Sequence, residues 1–210
     1  MYQLYWGTKS AAMAPQMVLE EIGLPYEIHH IDFRAGAARR EPYLSINPAG
    51  YLPALVTDGG EIITESAAIT LWLCENHGRE DLAPAPDHPT RGLFLRSLFY
   101  LTNTVQESYK NYYYCDEFSS AGEAHGPAIR ERATERMGER WKLVDDHLAR
   151  SGPCHLGQAL SAVDLYAVML ITWHYDPPAL RARFPALNTL YALASERPAV
   201  RRVLEAHGVA

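Results

Sequence analysis

Cysteine is scarce in this chain: Cys74, Cys115 and Cys154 are the only three in 210 residues. They are odd in number, far apart and free of any Cys-x-x-Cys pair, which argues against a disulfide framework and for reduced thiols in a reducing compartment. Long apolar runs are also missing. The run over residues 162–173 is too short to cross a bilayer and carries Asp164. The N-terminus shows no basic flank followed by a long apolar core, so no signal peptide is expected and the cytoplasm is the default. Positive charge is not in excess either. Lys and Arg total 19 against 25 Asp and Glu, a net charge of −6, which disfavours nucleic acid or an anionic membrane as the main partner. Arg130, Arg132, Arg136 and Arg140 alternate with Glu131, Glu135 and Glu139 at helical spacing and read as a solvated, salt-bridged face. No internal repeat or low-complexity tract is visible.

What is present is an ordinary globular balance, 48% apolar and 21% charged, in a length that suits one large domain or two small ones. The most informative stretch is residues 50–73. Gly50-Tyr51-Leu52-Pro53 is a turn into a strand, Asp58-Gly59-Gly60 is a hairpin signal between Ala54-Leu55-Val56 and Ile62-Ile63, and Thr64-Glu65-Ser66 opens a segment whose Ile69, Trp72 and Leu73 repeat as in a helix. A polar helix N-terminus therefore lies beside a proline-marked loop. Its free N–H groups and partial positive charge suit a carboxylate.

Ahead of it, Gln3-Leu4-Tyr5-Trp6 is a strand candidate and Gly7-Thr8-Lys9-Ser10 a polar loop. Residues 11–22 repeat as a helix that Gly23 stops, and residues 26–31 alternate as a second strand. The order is βαβ and then ββα over residues 1–78. Residues 79–89, with Pro84, Pro86 and Pro89, read as a linker. From 90 to 210 only helical periodicity is strong. Phe94, Leu98, Leu101 and Val105 step towards Tyr109 and Tyr112; Ile129, Ala133, Met137, Trp141, Val144 and Leu148 form a second long helix. Ser161 with Asp164 three residues on caps an apolar, buried helix, which Pro177-Pro178 is expected to end. Another helix carries Leu187, Leu190, Tyr191 and Ala194, and Pro198 opens a last one. The expected architecture is a small α/β domain followed by an all-α bundle.

The segments 47–55 (Asn-Pro-Ala-Gly-Tyr-Leu-Pro-Ala-Leu) and 64–69 (Thr-Glu-Ser-Ala-Ala-Ile), with Gly157 and Ser161-x-x-Asp164 later, resemble the cytosolic glutathione S-transferase superfamily over essentially the whole chain. The resemblance implies a thioredoxin-like domain joined to a helical bundle, in a homodimer with glutathione as co-substrate. It makes Pro53 the cis-proline that turns the Leu52 backbone towards the cysteinyl backbone of glutathione, like an added strand. It gives Glu65 the γ-glutamyl ammonium and Ser66 the α-carboxylate, though Ser66 as a plain helix cap remains open.

A free thiol titrates near ~8.5, so only about 3% is thiolate at pH 7. Within the resemblance, counting back from Gly23 puts Ser10 where serine-type members carry the activating hydroxyl. Ala11 falls where the related bacterial class carries a cysteine, so a serine-type rather than cysteine-type member is implied. A helix cap would explain Ser10 equally well. Tyr5, at the end of the first strand, is the rival activator, and Thr8 a further one. Lys9 adds charge or is solvated. The aromatic segment Tyr100, Tyr109, Tyr112, Tyr113, Tyr114 is the candidate electrophile wall, with Tyr109 and Tyr113 chosen because they lie four apart on one face; core packing is the alternative. Trp173 and His174 are weaker candidates. His29-His30 lacks a third ligand, so no metal is expected. The implied reaction is attack of glutathione thiolate on a small, apolar electrophile. A glutathione-dependent isomerase or disulfide/peroxide reductase is the alternative enzyme, and a non-catalytic glutathione-binding or ligand-carrier protein the alternative outside catalysis.

Overall fold

A computed structural model describes residues 1–209, which pack as two compact units. The first unit runs from Met1 to His88 and takes back the chain from Leu193 onward; the second is Pro89–Ala192.

Four short strands build the first unit: β1 (Tyr2–Trp6), β2 (Tyr26–His30), β3 (Ala54–Val56) and β4 (Ile62–Thr64), in the order β2-β1-β3-β4. β2 runs parallel to β1, because helix α1 (Met13–Ile22) carries the chain across; β3 and β4 are antiparallel neighbours joined by the Asp58-Gly59-Gly60 turn. Gly60 has φ 83°, which explains a glycine there. Alternation along β1 buries Tyr2, Leu4 and Trp6 on one face and turns Gln3 and Tyr5 to the other. That other face carries a small cluster of Ala38, Tyr43 and Ala54, against which Tyr5, Ile31, Phe33 and Leu52 pack. Two 3-10 turns, Ala37–Arg39 and Tyr43–Ser45, occupy the stretch left irregular by the sequence. Helix α2 (Ser66–Asn76) buries Ile69 and Leu73.

The second unit is helical: α3 (Arg91–Tyr100), α4 (Gln106–Tyr113), α5 (Gly126–Ser151), α6 (Ala162–Thr172), α7 (Pro177–Arg183) and most of α8 (Pro185–Ser195). Between α3 and α4 the chain keeps turning as a π segment, Leu101–Val105. Arg140 from α5 donates to the Thr104 carbonyl and to the Ser108 hydroxyl, giving that irregular turn a partner. Every residue of α6 is buried, as its unbroken apolar pattern requires, and Ser161 and Asp164 cap it as expected.

Two expectations need correction. Pro177 and Pro178 do not end α6, which stops at Thr172; they open α7, where the missing N–H groups are harmless and the Asp176 carboxylate accepts from the Ala179 N–H at 3.0 Å. The last helix, α9 (Pro198–Ala206), does not join the helical bundle that the sequence drew over 90–210. It packs on α1, with Arg197 paired to Glu21 and Arg202 Nε 2.7 Å from Glu20.

Candidate functional site

The N-terminus of α2 forms one wall. Glu65 precedes it in a left-handed backbone, φ 67°, and its side chain is exposed. Ser66 is buried, and its hydroxyl donates to the Ala11 carbonyl at 2.6 Å. The two sequence readings of Ser66 therefore meet a third arrangement: it caps nothing and instead ties α2 to the turn before α1. The first-turn N–H groups of α2 have no side-chain cap, so they remain available to an anion.

Leu52–Pro53 is a cis peptide bond. The loop ahead of it is fixed from behind: Tyr43 Oη and Asn47 Nδ2 both donate to the Tyr51 carbonyl, each at 2.7 Å. Leu52 itself lies outside β3, and its own N–H and C=O take no turn or loop backbone partner among the described residues. An N–H and C=O without such a partner on one residue is what an extended peptide needs in order to add as a strand.

The polar loop after β1 carries Ser10. Its Oγ accepts from the Gly7 N–H at 3.2 Å and the Ala12 N–H at 3.3 Å, and the residue is 7% exposed. The helix proper begins later than the sequence suggests, at Met13, so Ser10 organises the turn before it and is not its N-cap. With the oxygen accepting twice, the hydroxyl hydrogen still has no acceptor among the described residues. Accepting two N–H bonds also polarises the O–H and makes it a better donor. Lys9, just before it, is left-handed with φ 59°; its N–H donates to His207 Nδ1 at 2.9 Å. Thr8 and Lys9 are exposed.

Tyr5 sits on the opposite face of the strand from Trp6. Its ring stacks on His29 at 4.7 Å and tilts against Tyr43 at 5.8 Å, so it forms part of the Ala38–Tyr43–Ala54 cluster. His29 is thereby a packing residue, 3.7 Å from Glu27. All three cysteines are buried and free, and burial pushes the Cys74 and Cys154 thiols up to about 12, the wrong direction for redox work.

In the second unit Tyr109 and Tyr113 behave differently, although both lie on α4. Tyr109 is 2% exposed, its hydroxyl accepts from Trp141 Nε1 at 2.9 Å, and burial drives its pKa far up, so it is a core phenol. Tyr113 is half exposed and donates to the Trp173 carbonyl at 2.6 Å. Around them Tyr112 stacks on Tyr175 at 5.2 Å, and Trp173 and His174 meet the Tyr109 ring edge to face. The sequence missed Tyr175 as a member of this aromatic group, and missed His207 altogether. A lone histidine near the chain's end gave no signal, and Lys9 is no glycine to betray a left-handed turn.

Comparison with known proteins gives the family and the fold. Residues 11–76 match the family model "Glutathione S-transferase, N-terminal domain". A glutathione S-transferase-like protein, OpS6, of Beauveria bassiana is 30% identical over 202 residues, covering 89% of this chain and 86% of its own. A sphingomonad glutathione S-transferase solved in complex with glutathione aligns with a TM-score of 0.81 at 27% identity, over 99% of this chain and 100% of its own. A glutathione transferase homologue from Sulfitobacter, also with bound glutathione, shares the fold with a TM-score of 0.90 at 24% identity, over 100% and 99% of the two chains.

Proposed function

The chain belongs to the glutathione S-transferase family, and on that premise we propose that it is a glutathione transferase in which the Ser10 hydroxyl activates the thiol. Glutathione, the co-substrate, lies with its γ-glutamyl carboxylate on the first-turn N–H groups of α2 at Ser66 and its ammonium at Glu65. Its cysteinyl backbone pairs with the Leu52 N–H and C=O beside Pro53. The sulfur then comes to Ser10. One observation carries this assignment: the Ser10 oxygen is already filled by the Gly7 and Ala12 N–H groups, while its hydrogen has no acceptor among the described residues. Such a hydroxyl can donate to a thiolate but cannot accept from a thiol, so it favours ionisation.

Lowering a thiol pKa from ~8.5 by ~2 units raises the thiolate fraction at pH 7 from about 3% to about 75%, and needs roughly 2.7 kcal/mol. A hydrogen bond to a charged group supplies about 1.5–3 kcal/mol, so one well-aimed O–H with the nearby helix N-terminus is enough. Tyr5 fits the role less well, because its ring is engaged with His29 and Tyr43 on the other face of β1. Tyr113, with its exposed ring and neighbouring aromatic faces, is the better of the two tyrosines to meet an apolar electrophile; Tyr109 supports it from within the core. We further propose a cytosolic homodimer, in keeping with three buried, unpaired cysteines and with the family's habit.

The test is the ultraviolet thiolate absorbance of bound glutathione between pH 5 and 9 in wild type and Ser10→Ala. Wild type should titrate near ~6.5 and the variant near ~8.5. Equal depression in both would pass the role to Tyr5, Thr8 or backbone N–H groups. A bound thiol at its free value in wild type would indicate a binding protein, and an organic hydroperoxide assayed beside an aryl halide separates reduction from conjugation.

A further inference from the structure

Only two non-glycine residues among those described have a left-handed backbone, Lys9 and Glu65, and each directly precedes a serine of the site. A side chain in that conformation is disfavoured and persists only where surrounding bonds impose it. For Lys9 the bond is its N–H to His207 Nδ1. His207 is wholly buried at the C-terminal end of α9. Its ring lies 4.7 Å from the Trp6 ring, and its Nε2 is 2.9 Å from Gln16 Oε1 on α1. Gln16 in turn donates to Tyr26 Oη, which donates to Glu20, where Arg202 of α9 also lands. One imidazole thus joins the end of β1, helix α1 and the loop that carries Ser10.

Both ring contacts can be made together only by the neutral ring with hydrogen on Nε2: Nδ1 accepts from Lys9, and Nε2–H donates to Gln16. Burial pushes the imidazole down to about 4, so this form holds at neutral pH. The Ser10 oxygen also receives its two N–H bonds from this same turn, at Gly7 and Ala12. A turn that opens at Lys9 would lose the aim of the hydroxyl one residue later.

We propose that His207 is a positioning residue for thiol activation: by holding the Lys9 N–H, it fixes the left-handed turn that presents the Ser10 hydroxyl to sulfur. The inference rests on Ser10 as the activating donor. The test measures the pKa of bound glutathione thiol and the glutathione Kd in the full chain. The variants are His207→Phe, which keeps a ring against Trp6 but has no acceptor; His207→Gln, whose amide faces Gln16 and leaves Lys9; and His207→Asn, whose amide oxygen falls near the Nδ1 position. Ser10→Ala is made alone and in combination with His207→Phe.

The expected result is a bound-thiol pKa raised by about one unit in His207→Phe and His207→Gln, a tenfold loss of thiolate below both pKa values. Kd should change less than threefold, His207→Asn should recover most of the effect, and His207→Phe should add nothing to Ser10→Ala. Should His207→Phe fail to fold, His207→Gln decides alone. A thiol pKa equal to wild type in the folded variants, while Ser10→Ala still raises it, would overturn the proposal and leave the Ser10 assignment standing. Ser10→Ala without effect would overturn that assignment, and the proposal with it.

Discussion

Replacing Asp164 by asparagine should cost about 3 kcal/mol. The carboxylate is wholly buried and accepts four bonds. Oδ1 receives the His155 N–H at 2.9 Å and His155 Nδ1 at 2.8 Å; Oδ2 receives the Ser161 N–H and the Ser161 hydroxyl, each at 2.7 Å. Burial alone would raise its pKa, but the bonds from His155 and Ser161 outweigh it and hold the group below the usual carboxylate value. An amide has one oxygen and one NH2, so it can satisfy one edge of this arrangement only. The imidazole can change tautomer and the serine hydroxyl can rotate, but a backbone N–H can do neither. Whichever way the amide turns, the N–H of His155 or of Ser161 is left facing another donor. A buried orphan of this kind costs about 1–3 kcal/mol, and the bonds that survive lose their charge assistance. Because every residue of α6 is buried, water cannot reach in without opening the unit. Urea denaturation followed by tryptophan fluorescence, with Trp141 and Trp173 inside the second unit, gives the difference. For a chain of this size the melting temperature should fall by roughly 6–12 °C. Ser161→Ala removes one donor to the carboxylate and the hydroxyl cap on the Asp164 N–H, which keeps the Ser161 carbonyl at 3.0 Å, so it should cost only about 1 kcal/mol. A cost below about 1 kcal/mol for Asp164→Asn, or one no larger than that of Ser161→Ala, would refute the argument.

Acid should weaken the first unit before its carboxylates titrate. His207 binds a proton near pH 4 when folded, against about 6.5 when free, so the unfolded chain takes up the proton first as pH falls. Stability is therefore complete above about pH 6.5 and declines towards pH 4, with about 2.5 kcal/mol lost at pH 4.5. Urea midpoints at pH 7 and 4.5 read the loss, and His207→Phe should flatten it. Ser66→Ala leaves the buried Ala11 carbonyl without its donor, which should cost about 1–3 kcal/mol on urea denaturation and weaken glutathione binding in a thermal-shift titration.

Features fixed within a few neighbouring residues were legible in the chain. The Asp58-Gly59-Gly60 hairpin, the Gly23 stop, the Ser161–Asp164 cap and the helix opening at Ser66 each follow from local backbone and hydrogen-bond preferences, and all are present. Distant packing was not legible. The apolar period of α9 fits burial against any helix; its choice of α1 is made by Arg197, Arg202 and His207 meeting Glu21, Glu20 and Gln16, about 180 residues apart. A pair of prolines after a helix reads equally as its end or as the start of another, and only Asp176 capping Ala179 decides for α7. In the site itself, the serines could be picked out by position, but not the bonds that direct them. Ser10 receives two N–H groups and Ser66 gives its hydrogen to Ala11, and both arrangements depend on left-handed residues that carry side chains.

With Ser10 as the proposed thiol donor, its double acceptance has a consequence after chemistry as well as before it. A hydroxyl with nothing left to accept makes its one bond to whatever lone pair the sulfur offers. A thiolate offers a full negative charge. Once a carbon is attached, the sulfur becomes a thioether, a weak acceptor, and the bond all but disappears. On the proposed assignment, the contact that holds the reactant would be spent in the act of reaction, and the conjugate would keep the glutathione contacts proposed at Leu52, Glu65 and Ser66. Turnover in the proposed site would be rectified at the sulfur: the hydroxyl would draw in the ionised reactant and have no hold on the product.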